Sequence, residues 1–253
     1  MRWASGTILV VVLALVVAIG DSVGAVACAG EHARAALAGA AARTGADNTC
    51  NANTDKLTPH VAARHLMAGR YKLGHHPLVR LGLWPSWAED PLHDRNWRER
   101  LHMLRFLMAL MIEWRDTGAS RYRDRAFALL RSWIAHNPRS HPASAYSWGD
   151  HSTAWRTMTM VCMARMLPRQ AWLSRAIATH GAVLADPGFY VGRGNHALNQ
   201  AIALLDAGCY LRRTGWQRLA SQRIDGLSFV IEADGRRERV RATASGASIS
   251  DAP

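Results

Sequence analysis

Across residues 58–227 the apolar side chains return at spacings of three and four, in blocks closed by proline, glycine or asparagine. That period places each apolar stripe on one side of an α-helix, so the chain must bury helical faces against one another. Thr58-Pro59, a capping residue with proline at the first helical position, opens a helix predicted to reach about Arg70. A loop-rich stretch follows, carrying Trp84, Trp87 and the turn-forming Asp90-Pro91. Asp94 then caps a long helix predicted to run to Asp116, with Trp97, Leu101, Leu104, Met108 and Met111 on one stripe. After Gly118, Ser120 is the expected cap of a helix that turns Tyr122, Ala126, Leu129 and Trp133 inward and stops at Asn137-Pro138. Asp150 is the expected cap of the next, which carries Trp155, Met158, Cys162 and Met166 as far as Pro168. Helices over residues 169–184, 194–215 and 216–227 complete the series. No strand alternation and no glycine-rich phosphate loop interrupts it. The fold class is therefore all-α, built of stacked antiparallel helical hairpins.

The two ends of the chain differ from this body. Met1-Arg2, an apolar run from Ile8 to Ile19 and the small-x-small Ala25-Val26-Ala27 read as a signal peptide over residues 1–27. The run falls well short of the roughly 20 apolar residues of a spanning helix, so no integral membrane span is expected. Cys28 directly after the cleavage point keeps a lipoprotein reading open. Residues 28–57 read as a linker, 58–234 as the helical domain, and the Arg-rich residues 235–253 as a disordered tail. The formal net charge of +12 favours polyanions, and export makes nucleic acid the least fitting of them. Cys50, Cys162 and Cys209 follow no metal-binding spacing, and a Cys162–Cys209 bridge is conceivable in an oxidising compartment. Of the twelve histidines, His75-His76 with His93 or His102 invite a metal reading, but no His-Glu-x-x-His motif accompanies them.

Four segments concentrate polar and aromatic residues at helix–loop junctions, where sites usually lie. They are the runs from Trp87 to Pro91, from Arg95 to Trp97, from Tyr146 to Arg156, and from Gly192 to Gln200, the last containing Arg193, Asn195 and His196. The order Asp90-Pro91, Asn96-Trp97, Trp133-Ile134, Asn137-Pro138, Trp148-x-Asp150-His151-x-Thr153-Ala154-x-Arg156 and Gly194-Asn195-His196 resembles the helical N-terminal region of heparinase II/III-like polysaccharide lyases, related alginate lyases included. The resemblance implies an incomplete α/α toroid and β-elimination on a uronate-containing polymer of alginate or glycosaminoglycan type, with no cofactor and no metal.

Such a lyase must neutralise the uronate carboxylate, remove the C5 proton and protonate the leaving oxygen. The resemblance assigns the carboxylate to Asn195 and His196, at a helix start that offers free N–H groups. Arg193 would add positive field, and Tyr146, Trp148, His151 and Arg156 would line the cleft, Arg156 as an anion clamp or as a partner of Asp150. Each has a plainer use: Asn195 as an N-cap, Asp150 as a structural cap, the aromatics as core. The family also implies a tyrosine on a later helix and a C-terminal β-sandwich. Tyr210, inside the Asn195 helix, does not match that motif, and the pattern breaks after Asp234, so the resemblance implies an incomplete active site. A non-catalytic acidic-polysaccharide-binding domain is thus the second reading. A toroid hydrolase, the third, would need paired carboxylates among Glu89, Asp90 and Asp150.

Overall fold

The computed structural model describes residues 50–234 and 237–244; the expected signal peptide over residues 1–27, the expected linker up to residue 49, and residues 235–236 and 245–253 lie outside the described residues. The elements are α1 (Pro59–Met67), β1 (Arg70–Tyr71), β2 (Val79–Arg80), α2 (Arg95–Met103), α3 (Leu107–Thr117), α4 (Ser120–His136), α5 (Asp150–Arg165), α6 (Ala171–Ala185), α7 (Gly194–Leu211), α8 (Thr214–Asp225), β3 (Leu227–Asp234) and β4 (Arg237–Ala244). The protein is all-α in class, with two antiparallel hairpins, β1–β2 and β3–β4, as its only sheets among the described residues. Helices α5 and α7 run together at the centre, with α2 and α6 against α5, α6 and α8 against α7, and α3 between α1 and α4. This is the arrangement of stacked helical hairpins expected of an α/α toroid region.

Helix α5 is buried almost all round, from Ser152 to Ala164. A helix in that position must satisfy its own polar side chains. Thr157 and Thr159 do so by donating to the carbonyls of Thr153 and Trp155 at 2.7 and 2.9 Å. Around it Trp87, Trp97 and Trp133, all but fully buried, fill the largest volumes of the core. Thr58 and Asp94 cap α1 and α2 as expected, accepting from the backbone N–H of Val61 and Trp97. Ser120 and Asp150 do not act as caps: Ala119 and Gly149 occupy those positions, and neither makes a side-chain cap bond.

The single helix expected over residues 94–116 is two. The chain turns out of α2 at Leu104, whose φ of 56° is left-handed, and restarts as α3. No glycine or proline marks the break. The carbonyls it frees are met from α5 instead: Arg156 Nη1 donates to His102 O at 2.7 Å, and Thr159 Oγ1 to Met103 O at 3.5 Å. Two further expectations change. Cys162 bridges to Cys50, not to Cys209, and Cys209 is itself disulfide-bonded. Residues 50–57 accordingly belong to the body: Ala52 and Thr54 are buried, and Asn53 O accepts from the Gly74 N–H at 2.9 Å.

At the other end, residues 237–244 form strand β4, paired with β3 from Leu227↔Ala244 to Asp234↔Arg237, where a disordered tail was expected. The β-branched Ile231 and Val240 stand opposite one another in this register, a two-residue periodicity that a helical reading passes over. No helix among the described residues is long and apolar enough to cross a membrane.

The Cys50–Cys162 bridge closes a separation of 112 residues. Removing so long a loop constraint typically costs about 2–5 kcal/mol. The double variant Cys50→Ser/Cys162→Ser should therefore unfold at a clearly lower temperature than the parent by calorimetry, with its helix content at low temperature retained.

Candidate functional site

The starts of α5 and α7 meet in a cluster of titratable side chains. His196, two residues into α7, donates from Nδ1 to Asp150 Oδ2 at 2.7 Å. Its ring stacks on His151, with centroids 4.2 Å apart and planes 22° from parallel. His151 Nε2 in turn accepts from Trp155 Nε1 at 2.7 Å and from Asn199 Nδ2 at 3.1 Å. Indole N–H can only donate, so His151 carries its proton on Nδ1 and is neutral. Burial first, then the His196 charge, pushes the His151 pKa down to about 4. Asp150 thereby fixes one nitrogen of His196 and leaves Nε2 for other chemistry, the logic by which a carboxylate orients a catalytic imidazole.

The wall behind this pair is basic. Arg105 lies 4.0 Å from the Trp155 ring centre and donates to Asn51 Oδ1, its pKa lowered to about 10 by burial and then by Arg100. Arg98 covers the Tyr146 ring at 4.5 Å and pairs with Asp90 Oδ2 at 3.2 Å. Asp90 and Glu89 thus serve their own loop: Asp90 Oδ1 accepts the Asp94 N–H at 3.1 Å, and Glu89 Oε1 accepts the Ser86 N–H.

Arg193 and Asn195 are exposed at the start of α7. Arg193, not Asn195, holds the N-cap position, and no side chain caps the helix. The first-turn N–H groups there are consequently free to meet an anion. The loop that delivers this start is shaped by Gly192 and Gly194, both left-handed at φ 74° and 73°, a conformation that L side chains rarely adopt. It is strapped down by buried Gln200, which accepts from the Val191 N–H at 3.0 Å and donates to Phe189 O at 2.8 Å.

Of the residues singled out in the sequence, Tyr146, His151, Arg193, Asn195 and His196 fall at this end of the fold, and two do not. Arg156 is wholly buried, with its guanidinium bonded to His180 Nε2 at 2.9 Å and to His102 O; it neither clamps an anion in a cleft nor pairs with Asp150. Although it stands inside a motif of site candidates, Arg156 is a core residue. Trp148 turns away from His196. Its N–H donates to Asn137 O at 3.0 Å, and its ring lies 4.7 Å from that of His180. His102, offered as a metal ligand, is buried and accepts from Trp133 Nε1 at 3.1 Å. Asn199 and Trp155 lie inside two of the polar segments but are not among the candidate site residues, although their spacing of four from Asn195 and His151 is a visible signal that they share a helical face.

Residues 43–225 match the family model described as Heparinase II/III N-terminus. That is well over half the chain, and the chain belongs to this family. No match was found among curated protein sequences. Two crystal structures of heparan sulfate lyase HepC from Pedobacter heparinus, one of them a mutant, share the fold. The mutant is 16% identical with a TM-score of 0.61 and the other 17% identical with a TM-score of 0.59. They cover 81% and 85% of this chain, which spans only 36% and 38% of theirs.

His102 and His151 titrate near 3 and 4 in the folded protein, against 6.5 when free, in both cases chiefly because burial disfavours the cation. Below about pH 6.5 the unfolded chain binds more protons, so stability falls as pH drops towards those values and is complete above 6.5. Thermal unfolding should show this loss between pH 6.5 and pH 4, and His102→Gln should make the pH dependence shallower.

Proposed function

We propose that this chain forms the carboxylate-binding side of a polysaccharide lyase site that acts by β-elimination on a uronate-containing acidic polymer. The observation that carries the reading is the Asp150-oriented His196 beside the uncapped start of α7. In this mechanism the uronate carboxylate sits at the first turn of α7. There Asn195 and the free N–H groups hydrogen-bond it, and Arg193 adds charge. Neutralising that carboxylate lowers the cost of forming the carbanion at C5. His196 Nε2 supplies a proton-transfer group in the same place, and Tyr146 and His151 complete the wall. His151, being neutral, adds shape and hydrogen bonding without charge. Among such polymers a glycosaminoglycan is favoured over alginate, because the fold is shared with heparan sulfate lyases. Three disulfide-bonded cysteines, Cys50, Cys162 and Cys209, support an exported protein in the periplasm or outside the cell, where disulfides persist.

A second reading, acidic-polysaccharide binding without turnover, is favoured by the position of Tyr210. Its hydroxyl lies 3.4 Å from Ser174 Oγ. It stands on α7 at about 20 Å from His196 at helical rise, too far to share a substrate atom with it.

Purified protein should release unsaturated uronate from heparan sulfate. Asn195→Ala and His196→Ala should each lower that rate by about 100-fold or more while the circular dichroism stays unchanged. Salt-sensitive binding with no product from any acidic polymer would instead establish the second reading.

A further inference from the structure

A groove runs between α4 and α6, and none of the residues lining it belongs to the Asp150–His196 cluster. It consists of two adjoining depressions of about 400 and 420 Å³ that share Ile134, Ala176 and Thr179. Each lies within the ~300–1,000 Å³ usual for small-ligand sites. Trp148 borders one depression and Trp172 the other.

Three arginines line it; one of them rests on an indole and a second lies near another. Arg131 sits 4.5 Å above the Trp172 ring centre, and Arg139 lies 5.9 Å from that of Trp148. Arg175 is exposed one turn along α6 from Trp172. Stacking on an aromatic face fixes the plane of a guanidinium while leaving its N–H edge free for a bidentate oxyanion. Charge on this face is uncompensated. Asp124 is the only carboxylate in residues 120–139, residues 171–185 contain none, and Asp124 is already paired with Arg123 at 2.8 Å. Among the described residues none of the three arginines has a carboxylate partner. Beneath the floor the buried Arg156 adds a further cation, 3.8 Å from the Trp133 ring centre and 5.1 Å from that of Trp148.

We propose that the α4–α6 groove is a second binding site for acidic polysaccharide, separate from the lyase site and able to hold the polymer while its uronate units are processed elsewhere. The chemistry matches a glycan more closely than an acidic peptide. Its floor is shallow and made of small apolar groups, Ile134, Ala135, Pro138 and Ala176, which suit the C–H face of a sugar ring. Guanidinium groups at the edges suit the carboxylates or sulfates that project from such a ring. The identity of the polymer rests on the lyase reading; the existence of the anion groove does not.

Calorimetry of the full chain with a short heparan sulfate oligosaccharide separates the two claims. Wild type should show two binding events. Arg131→Ser/Arg175→Ser should weaken one of them by about tenfold or more, since each loses a charge-assisted hydrogen bond. Thr179→Glu, which places a carboxylate in the groove at an exposed position, should do the same, and Asn195→Ala should affect only the other event. Wild-type binding by both groove variants would overturn the proposal. Equal binding of a carboxyl-reduced, desulfated oligosaccharide, or stronger binding of an acidic peptide at the groove, would overturn it as well. Loss of the Asn195-dependent event alone from the wild-type profile would count against the lyase site and leave the groove standing.

Discussion

The guanidinium of Arg156 ties together four parts of the molecule that are distant in sequence. From α5 it reaches His102 O at the end of α2, His180 on α6, and the faces of Trp133 on α4 and Trp148 in the following loop. Burying a cation without a carboxylate is costly, and burial drives its pKa well below the usual arginine value. The cost is offset by hydrogen bonds to His180 Nε2 and His102 O, by longer ones to Ser152 O and Thr153 Oγ1, and by the indole faces. The position at the C-terminus of α2 also sets the positive charge against the negative end of that helix. Lysine could not replace it, because one ammonium cannot serve a fork of acceptors and stack on a ring.

The candidate site depends on this arrangement. With Trp133 and Trp148 fixed, the loop between α4 and α5 closes on Asn137. That side chain donates to Trp133 O at 2.9 Å and accepts from the Ala143 N–H and from Ser147 Oγ. The loop therefore delivers Asp150 to the start of α5 in one orientation. From the opposite side Gln200 and the two left-handed glycines deliver His196. The Asp150–His196 bond is the place where these separately anchored segments meet. Its geometry is set by buried polar contacts outside the candidate site, the kind of support that holds a side chain in one orientation.

Much of the fold was legible in the sequence because periodicity is a local signal. The helices of the body, the Thr58 and Asp94 caps and the family order of motifs all follow from residues close together in the chain. What escaped was non-local. The break at Leu104 has no local marker, since the carbonyls it frees are satisfied by Arg156 and Thr159 from more than 50 positions away. The Cys50–Cys162 pairing spans 112 residues, and nothing in the spacing prefers it over Cys162–Cys209. Within the motif from Trp148 to Arg156, sequence alone could not say which polar residues face out. His151 faces the site, whereas Arg156, one and a half turns on, faces the core. Asn199 was legible in principle, one turn beyond Asn195.

In the proposed lyase site His196, oriented by Asp150 and backed by a neutral His151, meets the carboxylate of an acidic sugar. The most direct test is nuclear magnetic resonance of the nitrogen-labelled imidazoles, with and without a heparan sulfate oligosaccharide. His151 should stay in its Nδ1–H form down to about pH 4. The oligosaccharide should shift His196 Nε2, and Asn195→Ala should abolish the shift. A His151 that protonates near pH 6.5, or oligosaccharide binding that leaves both histidines unmoved, would contradict this reading of the site.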